Sequence, residues 1–132
     1  LGVPFEKYSV HRRFVQELKY GREFVRVAAA FEPDVILSSN DPLFAKWYAG
    51  RWCAHTSTPW VFWLQDIYSV AMGNAAERIP VAGRALAASF RAIERHLLKS
   101  AAVVVPISSD FLPLLAAWDV DPAKCVVIEN WA

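Results

Sequence analysis

The chain lacks most of what the common catalytic machineries require. It has no phosphate-binding P-loop, no dinucleotide glycine fingerprint and no nucleophile elbow, which excludes the usual nucleotide and serine-hydrolase sites. Histidine is scarce. His11, His55 and His96 stand alone and read as surface or half-buried residues rather than members of a triad or a metal site. Cys53 and His55 are too close together for zinc spacing and have no further ligands. The two cysteines, Cys53 and Cys125, lie far apart and fit no metal pattern, so both are read as buried free thiols of a cytosolic protein. Neither sign of charge dominates. Fourteen Lys and Arg against thirteen Asp and Glu leave +1, so no global field recruits nucleic acid. No apolar run approaches the ~20 residues of a membrane span.

What is present is a core. A length of 132 residues, 55% of them hydrophobic and six of them tryptophan, argues against disorder and for one domain. There is no internal repeat, low-complexity segment or linker. From about Lys7 to Phe31, Phe14, Leu18, Val25 and Ala29 recur at helical spacing, with Arg12, Gln16, Lys19, Glu23 and Arg26 on the other face. Gly21 interrupts that helix at modest cost. Pro33-Asp34 punctuates, and Val35 to Leu37 forms a short buried strand. Asp41-Pro42 starts a helix to about His55, with Asp41 or Asn40 as cap and Pro42 at the first helical position. Gly73-Asn74 and Ile79-Pro80 bracket a loop before a helix from about Val81 to Lys99. Ala102 to Val105 is a third strand, Ser108 or Ser109 caps a helix ending near Trp118, and Cys125 to Ile128 is a fourth strand after the Asp121-Pro122 turn. Strands separated by helices imply parallel pairing through right-handed crossovers, hence an α/β fold.

The sharpest local signal is Trp60-Val61-Phe62-Trp63-Leu64 running into Gln65-Asp66-Ile67-Tyr68. Five successive apolar residues read as a strand buried on both faces. The polar residues then fall at its carboxyl end, where open α/β sheets bind ligands. Two other strands end alike, at Ser38-Ser39-Asn40-Asp41 and at Ser108-Ser109-Asp110. Three polar loops on one rim make a candidate site.

Four segments then come in a familiar order: Pro33 to Ser39, Trp60 to Tyr68, Ala101 to Ser108, and Asp121 to Trp131. Together they resemble the N-terminal, acceptor-side domain of family 4 retaining glycosyltransferases, of the exopolysaccharide or colanic-acid type. The resemblance implies a Rossmann-like parallel sheet of about four strands with flanking helices, the incomplete N-terminal half of a GT-B fold. It also implies that residues 1–132 are a fragment, lacking a first strand with its glycine-rich loop and a C-terminal donor domain. No cofactor or metal is expected on this part, and the nucleotide-sugar donor is expected on the missing domain. The parent would move a sugar to an acceptor hydroxyl with retention, and the fragment alone would be inactive. The rival is a non-enzymatic flavodoxin-like binding or signalling domain. In it Asp66 would be a phosphoacceptor, but the strand-end lysine such a domain needs is absent. An epimerase-like fold is set aside because its glycine motif is missing.

Carried over residue by residue, the resemblance makes Asp66 the catalytic candidate, a strand-end carboxylate able to take a hydrogen bond from a sugar hydroxyl. The alternative is that Asp66 caps the following turn. Ser39, Asn40, Gln65 and Tyr68 are acceptor-binding candidates, and Tyr68 reads equally as a half-buried loop aromatic. Ser38, Ser39 and Asn40 double as helix caps. Ser108, Glu129 and Asn130 fall near the interdomain cleft. On the long helix, Arg84, Arg91, Arg95 and Lys99 share a stripe opposite Leu86, Phe90, Ile93 and Leu97. That basic face is either solvated, partly neutralised by Glu94, or a contact to anionic lipid. Lipid contact would suit a polyprenyl-diphosphate-linked acceptor and a cytoplasmic enzyme at the inner face of the membrane.

Overall fold

The structure is a computed structural model and describes residues 10–39, 41–71 and 83–130. Its elements are α1 (Val10–Phe31), β1 (Ile36–Ser38), α2 (Leu43–Thr56), β2 (Trp60–Leu64), α3 (Gly83–Ser100), β3 (Val103–Pro106) and α4 (Leu112–Ala117). A helical turn covers residues 68–71, and 3₁₀ turns cover Ser109–Phe111 and Pro122–Lys124. The predicted loop between Gly73-Asn74 and Ile79-Pro80, the side chain of His11, Asn40 and Trp131 lie outside the described residues.

The sheet is parallel in the order β1-β2-β3, with Ile36 beside Trp60, and Val61 beside Val103. The sequence predicts four strands; three form among the described residues. The segment after the Asp121 turn runs along β3 with a single parallel bridge from Cys125 to Val104. It adds two ladder bonds, Val126 N–H to the Val104 carbonyl at 2.9 Å and Ile128 N–H to the Pro106 carbonyl at 3.1 Å. The fold class is nevertheless the one expected: α/β, a Rossmann-like parallel sheet flanked by helices.

Burial departs from the sequence reading in instructive places. β2 alternates: Trp60, Phe62 and Leu64 are buried, whereas Val61 and Trp63 on its other face are half-buried. The covered face belongs to α2 and α3, whose Leu43, Cys53, Phe90 and Leu97 share its core cluster. On α1 the buried line is Glu17, Gly21 and Ala28, not Phe14 and Ala29. A close approach of α1 to α2 selects small residues at the seam. At Gly21 a Cβ would come within 2.7 Å of the Tyr48 ring and 3.0 Å of its Cβ. Phe14 still packs edge-on to Phe44, their ring centroids 4.8 Å apart. On α3, Leu86 is exposed and Ala87, Glu94 and Leu98 are buried in its stead. Cys125 is half-buried, while Cys53 is buried as expected.

Candidate functional site

Asp41, one of the two residues expected to cap α2, does not do so. The residue ahead of the helix is Pro42, with no side-chain cap, and Asp41 turns back to accept the Ser38 hydroxyl at 2.8 Å. Pro42 has no amide hydrogen to be capped and fixes the chain direction, which frees the Asp41 carboxylate for the space beyond the strand. Asp41 also takes the Tyr20 hydroxyl of α1. Burial first, then the Asp41 charge, pushes that phenol above its usual range.

After β2 the chain is held from an unexpected quarter. Glu94 of α3, only 1% exposed, accepts the amides of Tyr68 and Ser69, one on each carboxylate oxygen and both at 2.8 Å. A carboxylate at the first amides of a helical turn is strongly stabilising. Two readings are corrected by this contact. Glu94 does not neutralise the basic face of α3, and those amides are not capped by Asp66. Among the described residues Asp66 is exposed and unbonded, while its loop is fixed from below.

Tyr68 is half-buried, and its hydroxyl is tied into α1. It donates to Glu17 Oε1 at 3.2 Å, the same oxygen that takes Arg13 Nε at 3.1 Å, and it accepts from Arg13 Nη2 at 3.4 Å. Burial, then the Glu17 charge, pushes this phenol up to about 12. The ring is therefore a fixed wall and not a proton donor at neutral pH.

Asp41, Asp66 and Tyr68 meet a residue that sequence reasoning missed. Lys46, on the second turn of α2, lines the same cleft of about 210 Å³. It also lines a neighbouring hollow of about 160 Å³ with Tyr20, Ser38 and Asp41. Its side chain is only 6% exposed, with Nζ 4.1 Å from the centroid of the Phe62 ring. Burial pulls the ammonium down to about 8, partly opposed by Asp41, Glu94 and Asp66. A cation on an aromatic face gains some of its solvation back. The signal was present: Lys46 is the lone charge in the apolar run Leu43 to Gly50.

The other predicted residues are placed as follows. Ser39 and Gln65 are half-buried at the ends of β1 and β2. Ser108 follows β3 and accepts the Asp110 amide at 3.2 Å, the capping role expected of it. Glu129 and Asn130 are exposed beyond the segment beside β3, and neither lines the Lys46 cleft. His55 and His96 are exposed, His96 beside the Trp47 ring. Among the described residues no group of three His, Cys, Asp or Glu could hold a metal. Burial pushes the Cys53 thiol up to about 11, so it is unreactive at neutral pH. No described helix is long and apolar enough to cross a membrane.

A parallel α/β sheet flanked by helices, with a polar cleft lined by Asp41, Lys46, Asp66 and Tyr68 beyond the strand carboxyl ends, is an arrangement of Rossmann type. The model of the glycosyl transferase 4-like domain matches residues 1–131, and the chain belongs to that family. No curated protein matches the chain.

Proposed function

We propose that this chain is the acceptor-binding half of a GT-B glycosyltransferase that moves a sugar from a nucleotide-sugar to an acceptor hydroxyl with retention of configuration. Membership of the glycosyl transferase 4-like family supports the class. The observation that carries the acceptor side is the cleft at the ends of β1 and β2, where Asp41, Asp66 and Lys46 converge. In this reading Asp66 accepts the hydrogen of the acceptor hydroxyl. Gln65 and Ser39 orient the sugar, and Ser108, Glu129 and Asn130 face the donor domain. Domain closure would then bring the donor's anomeric carbon to the held hydroxyl. The proposed setting is bacterial surface-polysaccharide synthesis on a polyprenyl-diphosphate-linked acceptor at the inner face of the membrane.

The membrane contact now rests on fewer residues than the sequence suggests. Arg84, Arg91 and Lys99 are exposed. Arg95 instead donates to the Trp118 carbonyl at 2.9 Å and pairs with Asp119, so it fastens α3 to the end of α4. The function is tested by incubating the whole protein that carries this chain with radiolabelled nucleotide-sugars and a bacterial lipid extract. Label appearing in the lipid fraction is the expected result. Absence of transfer from every donor in a full panel would overturn the reading.

A further inference from the structure

Lys46 has an ammonium that packing does not require. A methionine of similar length would fill its slot over Phe62 without burying a charge. Among the described residues the ammonium makes no hydrogen bond and no close ion pair, although the residue as a whole is only 6% exposed and Asp41, Glu94 and Asp66 attract its charge. Its tip lines the open cleft rather than a closed core. A donor without an acceptor therefore lines the cleft. Across the same cleft Asp66 is the converse, an acceptor without a donor among the described residues. Asp41 is not in that position, because Ser38 and Tyr20 already occupy it.

The charge count decides what fits between them. A free anion would satisfy Lys46 but would face two carboxylates, Asp41 and Asp66. An amine would satisfy Asp66 but would meet the Lys46 ammonium in a small space. A hydroxyl satisfies both, since its oxygen accepts and its hydrogen donates. The space of about 210 Å³ is below the roughly 300–1,000 Å³ of drug-sized sites, so it suits a single ring. We infer that Lys46 and Asp66 together hold one hydroxyl of a neutral polyol, Lys46 donating to its oxygen and Asp66 accepting its hydrogen. This rests on the acceptor-side reading and names the chemistry of the acceptor at its reacting end. Tyr68, locked by Arg13 and Glu17, is the wall against which the ring lies.

The test follows the side-chain ε resonance of Lys46 in lysine-labelled protein, with the Tyr68 amide as a second reporter. The titrants are glucose, galactose, mannose, N-acetylglucosamine and myo-inositol, each carried to about 0.1 M, well above millimolar dissociation constants. Inorganic phosphate is titrated alongside. At least one neutral polyol should move the Lys46 resonance saturably. Lys46→Met and Asp66→Asn should each weaken that binding, read at Tyr68, by about tenfold or more. Lys46→Met keeps the apolar stem and Asp66 is exposed, so unchanged circular dichroism in both separates lost binding from lost folding. The inference is overturned if no polyol moves Lys46, if only phosphate saturates it, or if Lys46→Met binds as wild type does. Polyol binding in a protein that transfers no sugar would remove the glycosyltransferase reading and leave this site standing. Sugar transfer with an unaltered acceptor KM in Lys46→Met would do the reverse.

Discussion

A buried ammonium leaves its mark on the pH dependence of folding. In the folded chain Lys46 titrates near 8, against an ordinary 10.5. Below about pH 8 both folded and unfolded chains hold the proton, and the full cost of burying it is present. Between about 8 and 10.5 the unfolded chain binds more protons, so stability rises with pH until the cost is gone. The full effect is up to about 3 kcal/mol. Lys46→Met should therefore be more stable than wild type in urea near pH 7, and the gap should close near pH 10. A gap that does not change with pH would contradict the burial. Glu94 makes the opposite case, a buried charge that is fully used. Removing it by Glu94→Ala leaves the Tyr68 and Ser69 amides without their acceptor, and urea unfolding should show a loss of about 2–4 kcal/mol. A loss below about half a kcal/mol would mean that water replaces it freely. Lys46 left only a faint signal in the sequence, as the lone charge in an apolar run, and Glu94 left none. Lys46 differs from a solvated lysine only through what folds over it, and Glu94 finds its partners 25 and 26 positions away.

At the scale of elements, the strands and most helices were legible because short apolar runs alternate with Pro, Gly and Asp. Trp60 to Leu64 was read to the residue, and of the two serines offered as a cap Ser108 takes that role, on the 3₁₀ turn ahead of α4. The faces of the helices were less legible. Hydrophobic periodicity ranks residues by apolarity, whereas the α1–α2 seam is chosen by size. It therefore takes Gly21 against Tyr48 and leaves Phe14 at its edge, while Glu17 is buried by its bonds to Arg13 and Tyr68. Gly21→Ala should then destabilise the chain by about 1–3 kcal/mol, because the Tyr48 Cβ as well as its ring must move. Thermal denaturation would check this. A gain in stability, as helix propensity alone predicts, would show that the seam is looser than described. The fourth strand was over-read for a similar reason. Cys125 to Ile128 is apolar enough, but Cys125 makes only one bridge to β3, and Val126 and Ile128 stay exposed.

For the molecule as a whole, the family and the fold were visible in the order of four segments, because strand ends and their polar loops keep their sequence signature. The candidate cleft was half visible. Asp66 and Tyr68 follow a strand and could be named, but Asp41 was read as a cap and Lys46 was not seen. Both come to the cleft through the packing of α2 on the sheet. The basic stripe on α3 also changes its meaning at this scale, since Arg95 serves the α3–α4 contact. If the exposed remainder meets anionic lipid, Arg84→Glu and Arg91→Glu should each weaken binding to phosphatidylserine vesicles by about fivefold or more. Binding unchanged by both reversals would remove that contact. The most direct test of the central claim is the kinetics of sugar transfer by Asp66→Asn in the whole protein. The acceptor-side account predicts that kcat/KM for the acceptor falls by about tenfold or more while the donor KM stays as in wild type. A raised donor KM with an unchanged acceptor term would place Asp66 on the other substrate and contradict it.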